Sequence, residues 1–446
     1  MERVTMSILS KRLPMTASTE ESHDPNDRDE SRSGATDRPA DGSETTTAEA
    51  PSPETTIDDR DADDSPDDET AADAVAPVLR PFESDDRDAL GSLYETATGE
   101  PLDPAWFRRL FVDNPFDLGT IPIHVAEDDG ELVAAQLSAA VRVRVGTDVV
   151  TALHTIDRLV HPDYEETDLS ERLSTAAEER YADSPVAFAF DFPGEDAVGD
   201  ALDSGYRAVD EMPTYYRIQN PAALAARRGR TAGALGRLGG VVARGYLGAK
   251  RRRIGVDRDV AVSRVDGVPA DRLAALAERV DADGARAVRD AEFYGWRFGD
   301  GGTYRTYFAA RDGEAVAAVV VADRTEENGR VSLVDVLPAD RASSTEAADD
   351  STPVRDAVRT LLVAVAEQHA DADLLTAFGS AFPEGAMRAA GFVCDSDYPL
   401  STLTSQATLV AYPYVDDVSN ADSWRCGGEM LTDGTVWSAT MADHLF

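Results

Sequence analysis

Lysine is almost missing from this chain. Lys11 and Lys250 are the only two in 446 residues, and arginine carries nearly all the positive charge. Acidic residues outnumber basic ones 84 to 43, for a formal charge of −41. DNA and RNA are therefore excluded as general partners, because neutralising phosphates takes clustered Lys and Arg. Acid spread along the whole chain with so little lysine is the composition expected of a halophilic protein. Salt screens the self-repulsion there, and hydrated carboxylates keep the surface soluble. Cysteine is scarce too: Cys394 and Cys426 stand alone, with no CxxC pair. This fits a reducing compartment and gives no redox signature. His444, Asp443 and Cys426 lack metal-ligand spacing, so no metal site is expected. No apolar run reaches membrane-spanning length, and the N-terminus does not continue into a signal-peptide core. The expectation is a cytoplasmic protein with no transmembrane segment.

The length suggests two to three folding units. Residues 1–75 are rich in Asp, Glu, Ser, Thr and Pro and read as a disordered acidic tail. Order is expected from APVLRPF onward. Two helical stretches follow, ESDDRDALGSLYETA and PLDPAWFRRLFVDNPF, with Trp106, Phe107 and Phe111 at core spacing. Next comes a strand, an Asp-Asp-Gly turn, a strand, a Gly-Thr-Asp turn and a third strand ending TALHTIDRLV. A helix, the apolar strand VAFAFDF, a short helix after Pro193, and the strand TYYRI complete residues 76–221. The pattern then recurs over residues 257–412. TYFAARDGEAVAAVVVADR repeats the strand–turn–strand unit, and GRVSLVDVLPA matches TALHTIDRLVHP. Phe382-Pro383 with Gly391 matches Phe192-Pro193 with Gly205. This order predicts an α/β (α+β) protein of two tandem domains, each a mainly antiparallel mixed sheet flanked by helices. Residues 222–256 join the halves as a helical linker that is basic from Arg227 to Arg253, an exception to the overall charge. It packs on the acidic domains or docks an anionic partner such as RNA or lipid. Residues 413–446 carry two tryptophans and are expected to fold onto the body.

VLRPF, IPIHVAEDDGELVAAQLSAAVRV, the strand end TIDRLVHPDY with its following helix, and FP…GY together resemble the GCN5-related N-acetyltransferase (GNAT) superfamily. YFAARDGEAVAAVVVAD, VSLVDVLP and FPEGAMRAAGF resemble it a second time. The resemblance implies acetyl-CoA as cofactor, bound at the end of the fourth strand. It implies a turn of Arg or Gln, two residues, Gly, one residue, and Gly or Ala. Such a turn cradles a diphosphate with backbone N–H groups, and glycine permits the close approach. The positions matched here are Glu165, Asp168 and Ser170, with Leu159, Val160 and Leu169 around them. Carboxylates thus stand where a diphosphate would arrive, and Asp168 is expected to cap the helix with its own side chain. After LVDVLP the second half has a polar stretch without glycine, where Arg341 is crowded by Glu346, Asp349 and Asp350.

The resemblance also implies acyl transfer to a small-molecule or protein amine by direct attack on the thioester. That needs a base near the amine and an acid for the departing thiolate. Asp157 interrupts an apolar strand end and is the first candidate base, with Asp335 in the matching place. Tyr206 and Tyr216 are candidate acids. His154 is expected on the strand face opposite Asp157, and His161 is expected to be structural. Three functions follow as alternatives. The first is an acetyl-CoA-dependent N-acyltransferase. The second is a non-catalytic binding or scaffold protein that keeps the cleft. The third is an aminoacyl-tRNA-dependent transferase of tandem architecture that uses the basic linker.

Overall fold

The structure is a computed structural model. It describes residues 76–220 except 117, residue 223, and residues 259–280, 284–299, 303–339 and 353–445 except 403 and 416. The expected acidic tail, nearly all of the basic linker and most of the polar stretch after Leu337 lie outside the described residues.

The first half runs β1 (Val78–Pro81), α1 (Arg87–Thr98), α2 (Pro104–Phe107, continued by a wide turn to Val112), β2 (Ile123–Asp128), β3 (Glu131–Val145), β4 (Asp148–Val160), α3 (Leu169–Tyr181), β5 (Val186–Asp191), α4 (Val198–Asp203) and β6 (Arg207–Met212). The second runs β7 (Thr214–Ile218), β8 (Val260–Asp266), α5 (Ala270–Val280), β9 (Arg286–Ala287), α6 (Ala291–Phe298), β10 (Tyr304–Arg311), β11 (Glu314–Arg324), α7 (Thr325–Asn328), β12 (Arg330–Leu337), α8 (Pro353–Gln368), β13 (Leu374–Phe378), α9 (Glu384–Ala389), β14 (Val393–Cys394) and β15 (Ala407–Pro413). The Asp-Gly turns form as the residues dictate. Asp129 and Gly130 have φ of 49° and 86°, and Asp312 and Gly313 have 54° and 84°, the mirror-image geometry that joins paired strands without splaying them. β3 does not alternate: Leu132 to Val141 are buried throughout, because helices cover both faces of the sheet there.

Each half forms a mixed sheet, but the last strands are exchanged. The first sheet is ordered β1-β2-β3-β4-β5-β15-β6, with β9 pairing beside β3. The second is ordered β14-β7-β13-β12-β11-β10-β8. TYYRI (β7), read from sequence as closing the first half, pairs instead with β13, Tyr216 opposite Thr376. In return β15 enters the first sheet, Ala411 opposite Phe190. β6 was not anticipated. RAVDEM is mostly exposed and has no apolar alternation to betray a strand.

One irregularity occurs in both halves at the same place. Leu137 faces Asp157 and Ser138 faces Thr155, so Ile156 is an extra residue bulging from β4. Val320 faces Asp335 and Val321 faces Leu333, so Val334 bulges from β12. Such a bulge bends a strand and interrupts its ladder. The parallel partners separate nearby. β4 and β5 pair last at His154–Phe190, and β12 and β13 pair last at Leu333–Ala377. Beyond these pairs each sheet is split between its parallel strands. The bulge also changes side-chain direction. His154 faces Ala139 and Asp157 faces Leu137, two residues apart on β3. His154 and Asp157 therefore share a face, contrary to strict alternation.

Candidate functional site

The split in the first sheet brings Thr155, Asp157, Arg158, Asp191 and Tyr206 near one another. Beyond His154, β4 continues for six residues, and among the described residues no backbone hydrogen bond reaches Thr155–Val160 from the β5 side. Asp157, Arg158 and Val160 are half-buried along this edge, while Leu159 is buried at 3% exposure. The Tyr206 hydroxyl lies 3.1 Å from Thr155 Oγ1 in a buried bond, and either oxygen can donate. The Arg158 guanidinium stands over the Tyr206 ring, 5.4 Å from its centroid. Burial raises the Tyr206 pKa above the ordinary phenol value, so this hydroxyl keeps its proton.

Asp191 ends β5 at the mouth of the split and was missed in the sequence. Burial pushes its carboxyl up to about 7. The Phe192 N–H and the nearby Arg158 charge oppose that rise, and Asp157 adds to it. Glu178, on α3, is likewise raised by burial; its hydrogen bond with Tyr412 and the Arg158 charge oppose the rise. The signal was present. VAFAFDF carries one carboxylate in an otherwise apolar strand, and a charge in such a run needs a reason. Glu178 and Tyr412 gave no such signal, since only the exchange of β15 brings Tyr412 to α3.

The turn after β4 stays solvent-facing. Glu165, Glu166, Thr167 and Asp168 are exposed, Leu169 is buried and Ser170 is half-buried. Asp168 sits at the N-cap of α3 but makes no capping bond with its side chain; its carboxylate lies 3.8 Å from Arg172 instead. The expected self-capping is absent because an arginine one turn along attracts the same carboxylate. His161 Nδ1 accepts from the Asp163 N–H and caps the short turn at Pro162. Tyr216 lies in the other sheet, between Thr376 and Val393, and does not join Tyr206. His154 is fully buried against Phe190, Phe192 and His444, and burial lowers its pKa to about 3.

The second split is filled. Asp335, the counterpart of Asp157, has no exposure. It accepts from Arg286 at 3.2 Å, from Arg289 at 3.0 and 3.1 Å, from the Tyr294 hydroxyl at 2.8 Å and from Thr440 at 3.0 Å. The C-terminal segment lies across this split. The Ala442 N–H donates to the Val334 carbonyl at the bulge (2.9 Å), and the Ala381 N–H donates to Ala439 (3.1 Å). Asp443 bonds Arg289 at 2.7 and 2.9 Å, and burial is overcome by the two arginines, which hold its pKa at about 2. No grouping of metal-ligating side chains occurs among the described residues. None of their helices is long and apolar enough to cross a membrane.

No protein-family description matches the chain, and no curated protein matches it in sequence. Solved structures do. A conserved protein of unknown function from Enterococcus faecalis V583, described as a probable N-acyltransferase, is 8% identical with a TM-score of 0.50, covering 76% of this chain and 73% of that one. A GCN5-related N-acetyltransferase from Anabaena variabilis ATCC 29413 is 10% identical with a TM-score of 0.48, covering 75% and 72%. A tandem GNAT protein from the clavulanic acid biosynthesis pathway is 13% identical with a TM-score of 0.47, covering 76% and 99%. At such identities the likeness concerns architecture. What the structure itself shows is two mixed sheets flanked by helices, one of eight strands and one of seven.

Proposed function

We propose that the first half is an N-acyltransferase, moving an acyl group from a coenzyme A thioester to an amine at the β4–β5 split. The observation that carries this reading is Asp191, a carboxyl poised near neutrality where the β4–β5 ladder ends, near a protonated tyrosine. A general base works best with a pKa near the working pH. In this reading Asp191 takes the proton from the incoming ammonium group, and Asp157 adds negative charge that favours a cationic acceptor. Tyr206, positioned by Thr155, returns a proton to the departing thiolate. Tyr216, in the other sheet, is left out of the mechanism.

The residues present fit coenzyme A unevenly. The backbone edge from Thr155 to Val160, beyond the last β5 pair, suits an amide-bearing chain, and Leu169 and Ser170 open α3, whose first N–H groups have no partner within the helix. Glu165 and Asp168 oppose the diphosphate, at a cost that molar salt screens because both are exposed. The same two carboxylates favour the second reading, a cleft that binds without catalysis. Titrating acetyl-CoA into the full chain in molar salt, followed by tryptophan fluorescence and calorimetry, tests both. Saturable binding near one equivalent per chain, with acyl transfer to an amine panel, is expected. Absence of binding at millimolar ligand refutes the proposal.

A further inference from the structure

We propose that the second split is a peptide-binding channel and that its resident ligand is the chain's own C-terminal segment, residues 436–445. The channel is shaped for a polypeptide along its whole length. At its entrance the segment pairs with residue 285 in both directions: Ala285 donates to the Val436 carbonyl (2.7 Å), and Ser438 donates to the Ala285 carbonyl (3.0 Å). In the middle Ser380 grips the backbone twice, donating to the Trp437 carbonyl (3.0 Å) and accepting from the Ala439 N–H (3.3 Å). Gly379, with φ of 106°, leaves room for the chain; a Cβ there would stand 2.1 Å from the Ala439 oxygen. At the bulge the Ala442 N–H meets the Val334 carbonyl, which no strand satisfies from that side. Arg297 is buried and donates to the carbonyls of Met441, Ala442 and His444, closing the turn that the segment makes at its end.

Sequence selectivity comes from two side chains. Thr440 and Asp443 both reach the Arg289 guanidinium, and the Ala287 N–H donates to Asp443 (2.9 Å). Arg289 and Arg286 face Asp335 and Asp443, so without Asp443 this pair of guanidinium groups shares a single carboxylate. A peptide lacking that carboxylate leaves a buried arginine undercompensated, which is strongly unfavourable. The ligand class is thus a peptide that runs in extended and ends in a tight turn, with Thr and Asp three residues apart across that turn. This occupancy is independent of any thioester chemistry in the first half.

The test uses the full chain carrying Asp443→Ala and a fluorescent synthetic peptide of residues 434–445. Saturable one-to-one binding is expected by anisotropy, with amides 437–442 exchanging faster than in the unaltered chain. A peptide carrying the same substitution is expected to bind at least about tenfold more weakly. The unaltered chain is expected to bind the peptide more weakly still, because its own segment competes at high effective concentration. Protection of residues 437–442 persisting in Asp443→Ala overturns the proposal. Failure of the peptide to bind a chain whose segment exchanges freely does so as well. Should that variant not fold, Ser380→Ala removes two grips without disturbing the ions. About tenfold faster exchange at 437–442 is then expected, and unchanged exchange counts as refutation. Coenzyme A binding reports separately on the first split.

Discussion

β4 and β12 are one strand written twice, and the two splits beside them have met opposite fates. Each bulges one residue before an aspartate, and each parts from its parallel neighbour just before or at the bulge. Around Asp157 the strand runs on without β5, and Asp157, Arg158 and Val160 stay half-buried. Around Asp335 two arginines, a tyrosine and a threonine close in, and the C-terminal segment takes the space. The fold supplies the cleft, and the residues placed beside it decide whether it serves chemistry or cohesion.

The sharpest way to break this comparison is to remove both aspartates in turn. Asp335→Ala leaves buried guanidinium groups uncompensated and is expected to destabilise the chain by about 3–5 kcal/mol in denaturant titrations. Asp157→Ala, at a half-buried position outside that cluster, is expected to cost less, about 1 kcal/mol. Equal losses would mean the two positions play one role. The next test bears on the open split alone. Asp191→Asn is expected to lower kcat/KM by about a hundredfold or more. For the unaltered chain activity should rise with pH through about 7, because the base works only when ionised. A pH profile unmoved by the substitution removes Asp191 from the mechanism.

Buried imidazoles occur in both halves and give an effect that is smaller for each group and each pH unit. His154 is held to about 3, and His124 and His369 to about 4, in each case mainly by burial. The unfolded chain takes up protons below about 6.5 that the folded chain refuses. Stability is therefore full above that pH and falls as pH drops towards the folded values, by about 1.4 kcal/mol per unit for each imidazole. Thermal melts from pH 7 to pH 5 check this, and His154→Phe should flatten the first half's share. The smallest expected effect concerns the turn after β4. Glu165→Arg with Asp168→Gly should tighten coenzyme A binding by about tenfold at low salt, and less in molar salt. Unchanged affinity would show that this turn does not meet the diphosphate.

Much of this arrangement was legible in the residues. Asp-Gly turns, strand lengths and the repeated Phe-Pro…Gly punctuation locate the elements of both halves, because those signals act locally. The bulge was not legible, since Ile156 and Val334 look like any apolar strand residue; alternation then misplaced His154. The strand exchange was equally hidden. TYYRI fits either sheet by pattern, and only tertiary pairing selects β13 over β5. The same blindness covered the filled split. Asp335 reads like Asp157 until Arg286, Arg289 and Asp443 arrive from distant stretches.

The exchanged strands carry a consequence for synthesis. β5 and β6 flank a gap that only residues 407–413 fill, and those residues are translated some two hundred positions later. The nascent first half must leave the ribosome with an open edge, a template for wrong pairing until the last strand arrives. Cutting the gene between the halves should thus yield two insoluble fragments rather than two working modules, while co-expression lets each complete the other.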